Sequence, residues 1–306
     1  MLPVLAQMSL LIACGTLWKH VAPTHISALA HRRALTDLVY YILLPALVLD
    51  VIWRAPLDTS SFHISLLATS GIFIGGATMW LIMRWIKVTQ QQTGALLLAA
   101  AFPNCTYLGL PVLDQVIGPH TRAIVLQYDL FACTPVLLSV GMLVAQYYAG
   151  NHTAVHPIRT LSKIPPLWAV VIGISFNIVG IEQPEILNSG LSILAGGVVP
   201  LMLIVLGMSI RWQSLRLRFI GLLLPVVLIS LILVPFSVFG LSHVIGLDSD
   251  LIVQVTLIKA MPTMVFGIVI CERTGLDSEL YAAAVTLTTI CSLVTLPLWF
   301  QWLSLS

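Results

Sequence analysis

The chain has 306 residues, 58% of them hydrophobic and only 8% charged, with a mean hydropathy of +1.01. That is far too little charge to cover the surface of a soluble domain, so the composition excludes that class and selects an integral membrane protein. The net charge of +2 says little by itself; the placement of the charges says more.

Apolar runs of about 20 residues are long enough to span a bilayer. They predict ten helices, near 2–19, 35–53, 62–83, 92–113, 121–148, 164–181, 186–210, 218–240, 250–271 and 278–303. No cation precedes the first run and no small-residue cleavage site follows it, so it reads as a span rather than a signal peptide. In the second span, Asp50 and Arg54 are spaced i,i+4 near one end, which predicts an interfacial ion pair. The fourth span is interrupted by Pro103, Asn104, Gly109 and Pro111, and the ninth by Lys259, Pro262 and Gly267. The fifth carries Asp129 about a third of the way along. No strand-like alternation is sustained, which argues against a β-barrel. The expected fold is all-α and integral to the membrane.

The loops between these spans differ sharply in charge. Odd-numbered loops hold Lys19, Arg32, Arg33, Arg84, Lys87, Arg159, Lys163, Arg211, Arg216, Arg218 and Arg273; even-numbered ones hold only Arg54 and Arg122. Positive loops stay in the cytoplasm, which places both termini on the outer side of the cytoplasmic membrane. The sequon Asn151-His152-Thr153 then falls inside and reads as chance.

The two halves also match. Leu44-Pro45-Ala46 parallels Val199-Pro200-Leu201, and Ala101-Phe102-Pro103 parallels Ala260-Met261-Pro262. Each proline block is followed by a glycine (Gly109, Gly267), an acid (Asp114, Glu272) and a second glycine (Gly118, Gly275). Five spans is an odd number, so the second repeat enters from the opposite side, giving inverted five-helix repeats. The expected division is 1–148, a short cytoplasmic linker 149–163, and 164–306. Asp114 and Glu272, closing the two broken spans, read as interfacial.

A proline inside a helix removes a backbone hydrogen bond and clashes with the preceding turn, at about 3 kcal/mol. The prolines therefore predict breaks in spans four and nine at mid-membrane. Backbone freed there needs partners or a water-filled cavity. Each break also creates a half-helix N-terminus that favours an anion. The predicted substrate-binding set is Pro103, Asn104, Thr106, Gly109, Pro111, Lys259, Pro262 and Thr263, with Lys259 pairing a substrate carboxylate. Asp129 is the proton-coupling candidate, with a structural hydrogen-bonding role as its alternative. Cys14, Cys105, Cys133, Cys271 and Cys291 show no CxxC spacing, and the eight histidines fall near span ends, so no metal and no cofactor is expected. GxGD and HExxH motifs are absent, so no enzyme is expected either.

The stretch Tyr40–Leu47, the block Ala101–Pro111 and the segment Ala260–Asp277 together resemble the auxin efflux carrier family, which includes plant PIN auxin exporters and bacterial permeases, with members linked to malate or malonate. The similarity runs over nearly the whole chain. It implies a fold like that of bile acid:sodium symporters, with scaffold and crossover transport subdomains interleaved across both repeats. It also implies an organic anion held where the broken helices cross, at Pro103, Asn104, Pro111 and Pro262. The middle loop is short where the plant exporters' is long and hydrophilic, so the chain resembles the bacterial members. The expected function is secondary active transport of a small mono- or dicarboxylate, or an auxin-like acid, by alternating access. The alternative is an anion channel or a membrane sensor. Expected partners are the organic anion, a proton in preference to sodium, the lipid bilayer and a second copy of the chain.

Overall fold

A computed structural model of the chain describes residues 2–21, 26–55, 57–150, 162, 164–210 and 219–305. Most of the 149–163 linker, the Asn151 sequon, and the loop cations Arg159, Lys163, Arg211, Arg216 and Arg218 lie outside the described residues. Everything regular is helical, and there is no strand among the described residues. The elements are α1 (Leu2–Val21), α2 (Ala28–Ile52), α3 (Thr59–Met83), α4 (Gln90–Ala101), α5 (Leu110–Val116), α6 (Thr121–Ala149), α7 (Pro165–Val179), α8 (Glu185–Ser209), α9 (Ile220–Ile245), α10 (Ser249–Lys259), α11 (Gly267–Thr274) and α12 (Ser278–Leu303).

Among the described residues, six helices are long and apolar enough to cross a membrane: α2, α3, α6, α8, α9 and α12. Six of the ten expected spans meet that measure. Large apolar side chains such as Ile186, Ile193 and Val244 stand exposed on the outside of the bundle, as lipid-facing residues do. Span boundaries shift from expectation where capping decides them. Ser27 caps α2 by accepting from the Ala30 N–H, so the helix starts at Ala28, seven residues before the predicted start. Thr89 and Gln92 form a capping box at the start of α4.

The helices pack in two groups. In one, α1 lies along the second half of α8, while the end of α2 packs against α7 and the first half of α8. In the other, α3, α4, α6, α9, α10 and α12 pack on one another. The α1–α8 contact is a backbone-to-backbone approach. A Cβ on Gly15 would collide with the Ile204 carbonyl, and one on Gly207 with the Ile12 carbonyl. Thr16 Oγ1 donates across this seam to the Gly207 carbonyl at 3.1 Å. Small residues give membrane helices this closeness, where dispersion and hydrogen bonds replace the hydrophobic effect.

Proline shapes the long helices through a recurring device. Val39–Leu43, Cys105–Gly109, Tyr128–Cys133 and Ile229–Leu233 are π-turns. They end two residues before Pro45, Pro111, Pro135 and Pro235 respectively. A proline ring clashes with the carbonyl four residues earlier; widening the preceding turn moves that carbonyl aside and lets the helix continue. The sequence places Pro111 at the edge of a break. It sits instead two residues past the Cys105–Gly109 π-turn, inside a helical segment that runs on unbroken into α5.

Candidate functional site

Two helices are interrupted, and the interruptions meet. After α4 ends at Ala101 the chain is extended over Phe102–Asn104, then turns helical again at Cys105. After α10 ends at Lys259 it is non-helical until Gly267. The extended pieces pair as a single antiparallel bridge between Pro103 and Thr263. The Asn104 N–H donates to the Pro262 carbonyl at 2.7 Å and the Met264 N–H to the Phe102 carbonyl at 3.0 Å. This answers the backbone question that prolines raise in a membrane: groups freed from one helix are satisfied by the other.

The C-terminal ends of α4 and α10 and the N-terminal starts of the segments after the breaks have different companions. Lys259, 1% exposed, donates from Nζ to the Ala101 carbonyl at 2.7 Å. Thr263 Oγ1 donates to the Ala99 carbonyl at 2.9 Å, and the Thr263 N–H donates to Thr288 Oγ1 at 3.1 Å. Lys259 therefore supplies positive charge where α4 leaves carbonyls unpaired and its dipole is negative. Tyr281 OH donates to the Met264 carbonyl at 2.8 Å and packs so closely on Gly267 that a side chain there would collide with its ring.

The starts of the following segments face a cavity of about 70 Å³. Asn104, Thr106 and Tyr107 line it from one, Met264 and Phe266 from the other, and Tyr40, Asp129 and Thr134 complete its polar wall. Leu44, Leu130, Leu137, Leu138, Ile164 and Pro166 make the remainder apolar. Asn104 is 1% exposed, and neither its amide oxygen nor its nitrogen has a hydrogen-bond partner. A buried amide left so costs about 1–3 kcal/mol per unmade bond, which water or a ligand in the cavity would recover. Among the described residues, no basic side chain lines the cavity.

Asp129 is held on both carboxylate oxygens, by the hydroxyl of Thr106 and by that of Thr134, the latter at 3.1 Å. Thr106 and Asp129 lie on facing π-turns, as do Cys105 and Cys133, whose sulfurs are 3.9 Å apart. A thiol pair 28 positions apart in sequence thus meets the carboxylate at the crossing. Widened turns are a common setting for functional side chains.

Of the residues singled out in the sequence, Asn104, Thr106 and Asp129 come together on the cavity. Pro103, Pro262 and Thr263 build the crossing behind it. Gly109 packs against Met261, while Lys259 and Pro111 do not line the cavity. No ion pair joins Lys259 to Asp129; the Lys259 ammonium, expected to pair with a substrate carboxylate, bonds here to the Ala101 carbonyl. Tyr40, Tyr107 and Thr134 were missed as wall residues. Their signal was available in Pro45, Pro111 and Pro135, each of which marks a π-turn beside one of them.

At the other end of the molecule, a second cavity of about 620 Å³ is lined by Arg54, Asp58, His120, Gln127, Asp250 and Gln254, among others. Asp50 and Arg54 form the expected ion pair. Asp114 is bound by Arg122 through both oxygens, at 2.6 and 2.9 Å, a charge-assisted fork that closes the end of α5 onto α6.

Interrupted helices that cross inside an all-helical, lipid-facing bundle define a multi-pass membrane transporter. Comparison with known proteins agrees. The model of the membrane transport protein family matches residues 5–160 and 152–300, and the chain belongs to that family, the auxin efflux carriers that its proline blocks resemble. It is 29% identical over 268 residues to an uncharacterized transporter of Methanothermobacter thermautotrophicus, with 87% of each chain covered. It is 25% identical over 291 residues to one of Methanocaldococcus jannaschii, covering 90% of this chain and 91% of that one. With the uncharacterized transporter YfdV of Escherichia coli it shares 22% identity over 278 residues, again 87% of each.

Proposed function

We propose that the protein is a secondary active transporter of small organic monocarboxylates, working by alternating access in the cytoplasmic membrane with both termini outside. The observation that carries this reading is the unpartnered Asn104 amide, buried at the start of one half-helix and facing the start of the other across a cavity. Its N–H donors and the half-helix N-termini suit a carboxylate. The apolar remainder of the wall suits a hydrocarbon body. Among the described residues no cation lines the cavity, so a dicarboxylate would leave its second charge beside Asp129 at an uncompensated desolvation cost. Lys259 serves this site from behind, by holding the crossing together.

In this reading the chain is two inverted five-helix repeats, 1–148 and 164–306. The group containing α1, α2, α7 and α8 is the scaffold, and the other group is the transport body carrying the crossing. The cavity reaches Ile164 and Pro166, at the end where the basic loops lie, so it opens toward the cytoplasm. Asp129, on the same wall, carries the coupling proton.

A thermal-shift series on the purified protein tests the reading. Monocarboxylates with apolar tails are expected to raise Tm by mass action, and matched dicarboxylates and amides are not. Asn104→Ala should weaken binding about 10- to 100-fold, the worth of a hydrogen bond to a charged group, while membrane insertion is unchanged. If no carboxylate stabilises the wild type, or if Asn104→Ala responds as the wild type does, the crossing is not the binding site.

A further inference from the structure

Cys105, Cys133 and Asp129 are all buried, and their sulfur and carboxylate atoms lie within 4.8 Å of one another. Neither cysteine is used in the transport reading. Two observations make them more than neighbours in a core. The first is spacing. Zinc–sulfur bonds of about 2.3 Å at a tetrahedral angle put two sulfurs about 3.8 Å apart, and here the separation is 3.9 Å. A disulfide would need about 2.05 Å. The second is the support of the third ligand. Asp129 accepts from Thr106 and Thr134, so its carboxylate is oriented by hydroxyls that do not themselves need to bind a metal. A zinc–oxygen bond of about 2.0–2.2 Å would place that oxygen about 3.5 Å from each sulfur, a side-chain adjustment of about an ångström from the present limit of 4.8 Å.

We infer that Cys105, Cys133 and Asp129 form a binding site for a soft divalent cation of the zinc or cadmium type. Two thiolates select a thiophilic metal over magnesium or calcium and offset its two positive charges, and the Asp129 carboxylate brings the bound site to a net charge of −1. Binding releases the two thiol protons. The adjoining cavity, which Asp129 lines, gives the cation an approach and leaves the fourth position to water. A bound cation clamps the segment after the α4 break to α6 and occupies the carboxylate, so it inhibits any transport that needs Asp129 free.

The test is cadmium binding to the purified full-length chain, read directly and therefore independent of the carrier reading. The expected result is one cadmium per chain with a thiolate-to-cadmium charge-transfer band. The band should persist when Cys14, Cys271 and Cys291 are all replaced by serine. Cys105→Ser and Cys133→Ser should each weaken binding at least tenfold, and Asp129→Asn about tenfold. Cadmium NMR of the unaltered chain should give a shift for a mixed sulfur–oxygen ligand set, which decides the matter even if a cysteine variant fails to fold. Absence of the band in the Cys14, Cys271, Cys291 triple variant, undiminished affinity in Cys105→Ser with Cys133→Ser, or an all-oxygen NMR shift would each overturn the site.

Discussion

Lys259 and Asp129 illustrate two ways in which a polar side chain is kept inside a membrane. Among the described residues Lys259 has no acid paired with it, and it bonds to the Ala101 carbonyl instead. Its aliphatic stem packs where Gly71 leaves room: a Cβ at position 71 would come within 3.2 Å of its Cδ and Cε. Lys259→Met fills similar volume but leaves that carbonyl without its donor. The expected loss is about 1–3 kcal/mol of stability, seen as a lowered Tm, with carboxylate affinity changed less than about twofold. A large loss of affinity in a variant of normal Tm would place Lys259 in the binding site itself. Asp129 is tied to two hydroxyl donors, an arrangement that an asparagine in its place could keep only on one side, through its amide oxygen. Asp129→Asn should abolish pH-driven uptake in proteoliposomes and spare substrate exchange; unchanged pH dependence would remove the proton from Asp129.

At the scale of elements, prolines and glycines do different jobs. Proline opens α-helical turns into π-turns at four places and breaks the chain outright at Pro103 and Pro262, where an extended partner is present to receive the freed backbone. Glycine sets interhelical distance. Gly15→Val and Gly207→Val drive a side chain into a carbonyl of the facing helix. Each should lower Tm in detergent and reduce the yield of monodisperse protein, as overpacking does at about 1–3 kcal/mol. Gly190→Ala and Gly221→Ala meet open space and should be neutral or slightly stabilising through helix propensity. Equal damage from all four would mean that the α1–α8 approach is not what Gly15 and Gly207 secure.

For the whole molecule, the orientation proposed from the basic loops leads to a direct measurement. With both termini outside, alkaline phosphatase fused to the C-terminus in a bacterial host should be active and green fluorescent protein fused there should be dark. The opposite pair of results would invert the proposed topology, and with it the assignment of the Asn104 cavity to the cytoplasmic face. Two cavities at opposite ends, with the crossing and its buried neighbours between them, are what alternating access requires of one body moving against another.

Much of this was already written in the chain. Low charge and long apolar runs determine a membrane bundle, because the bilayer imposes span length and excludes unpaired backbone. Proline at 103 and 262 determines where helices stop, because the constraint is local to the residue. Which partner receives the freed backbone was not legible, since Pro103 and Thr263 are 160 residues apart and the bridge is a property of packing. For the same reason neither the bond from Lys259 to Ala101 nor the approach of Cys105 to Cys133 could be read from the chain. Local sequence reports what each segment needs; only the tertiary structure, by bringing distant segments within hydrogen-bond and ligand range, decides what meets the need.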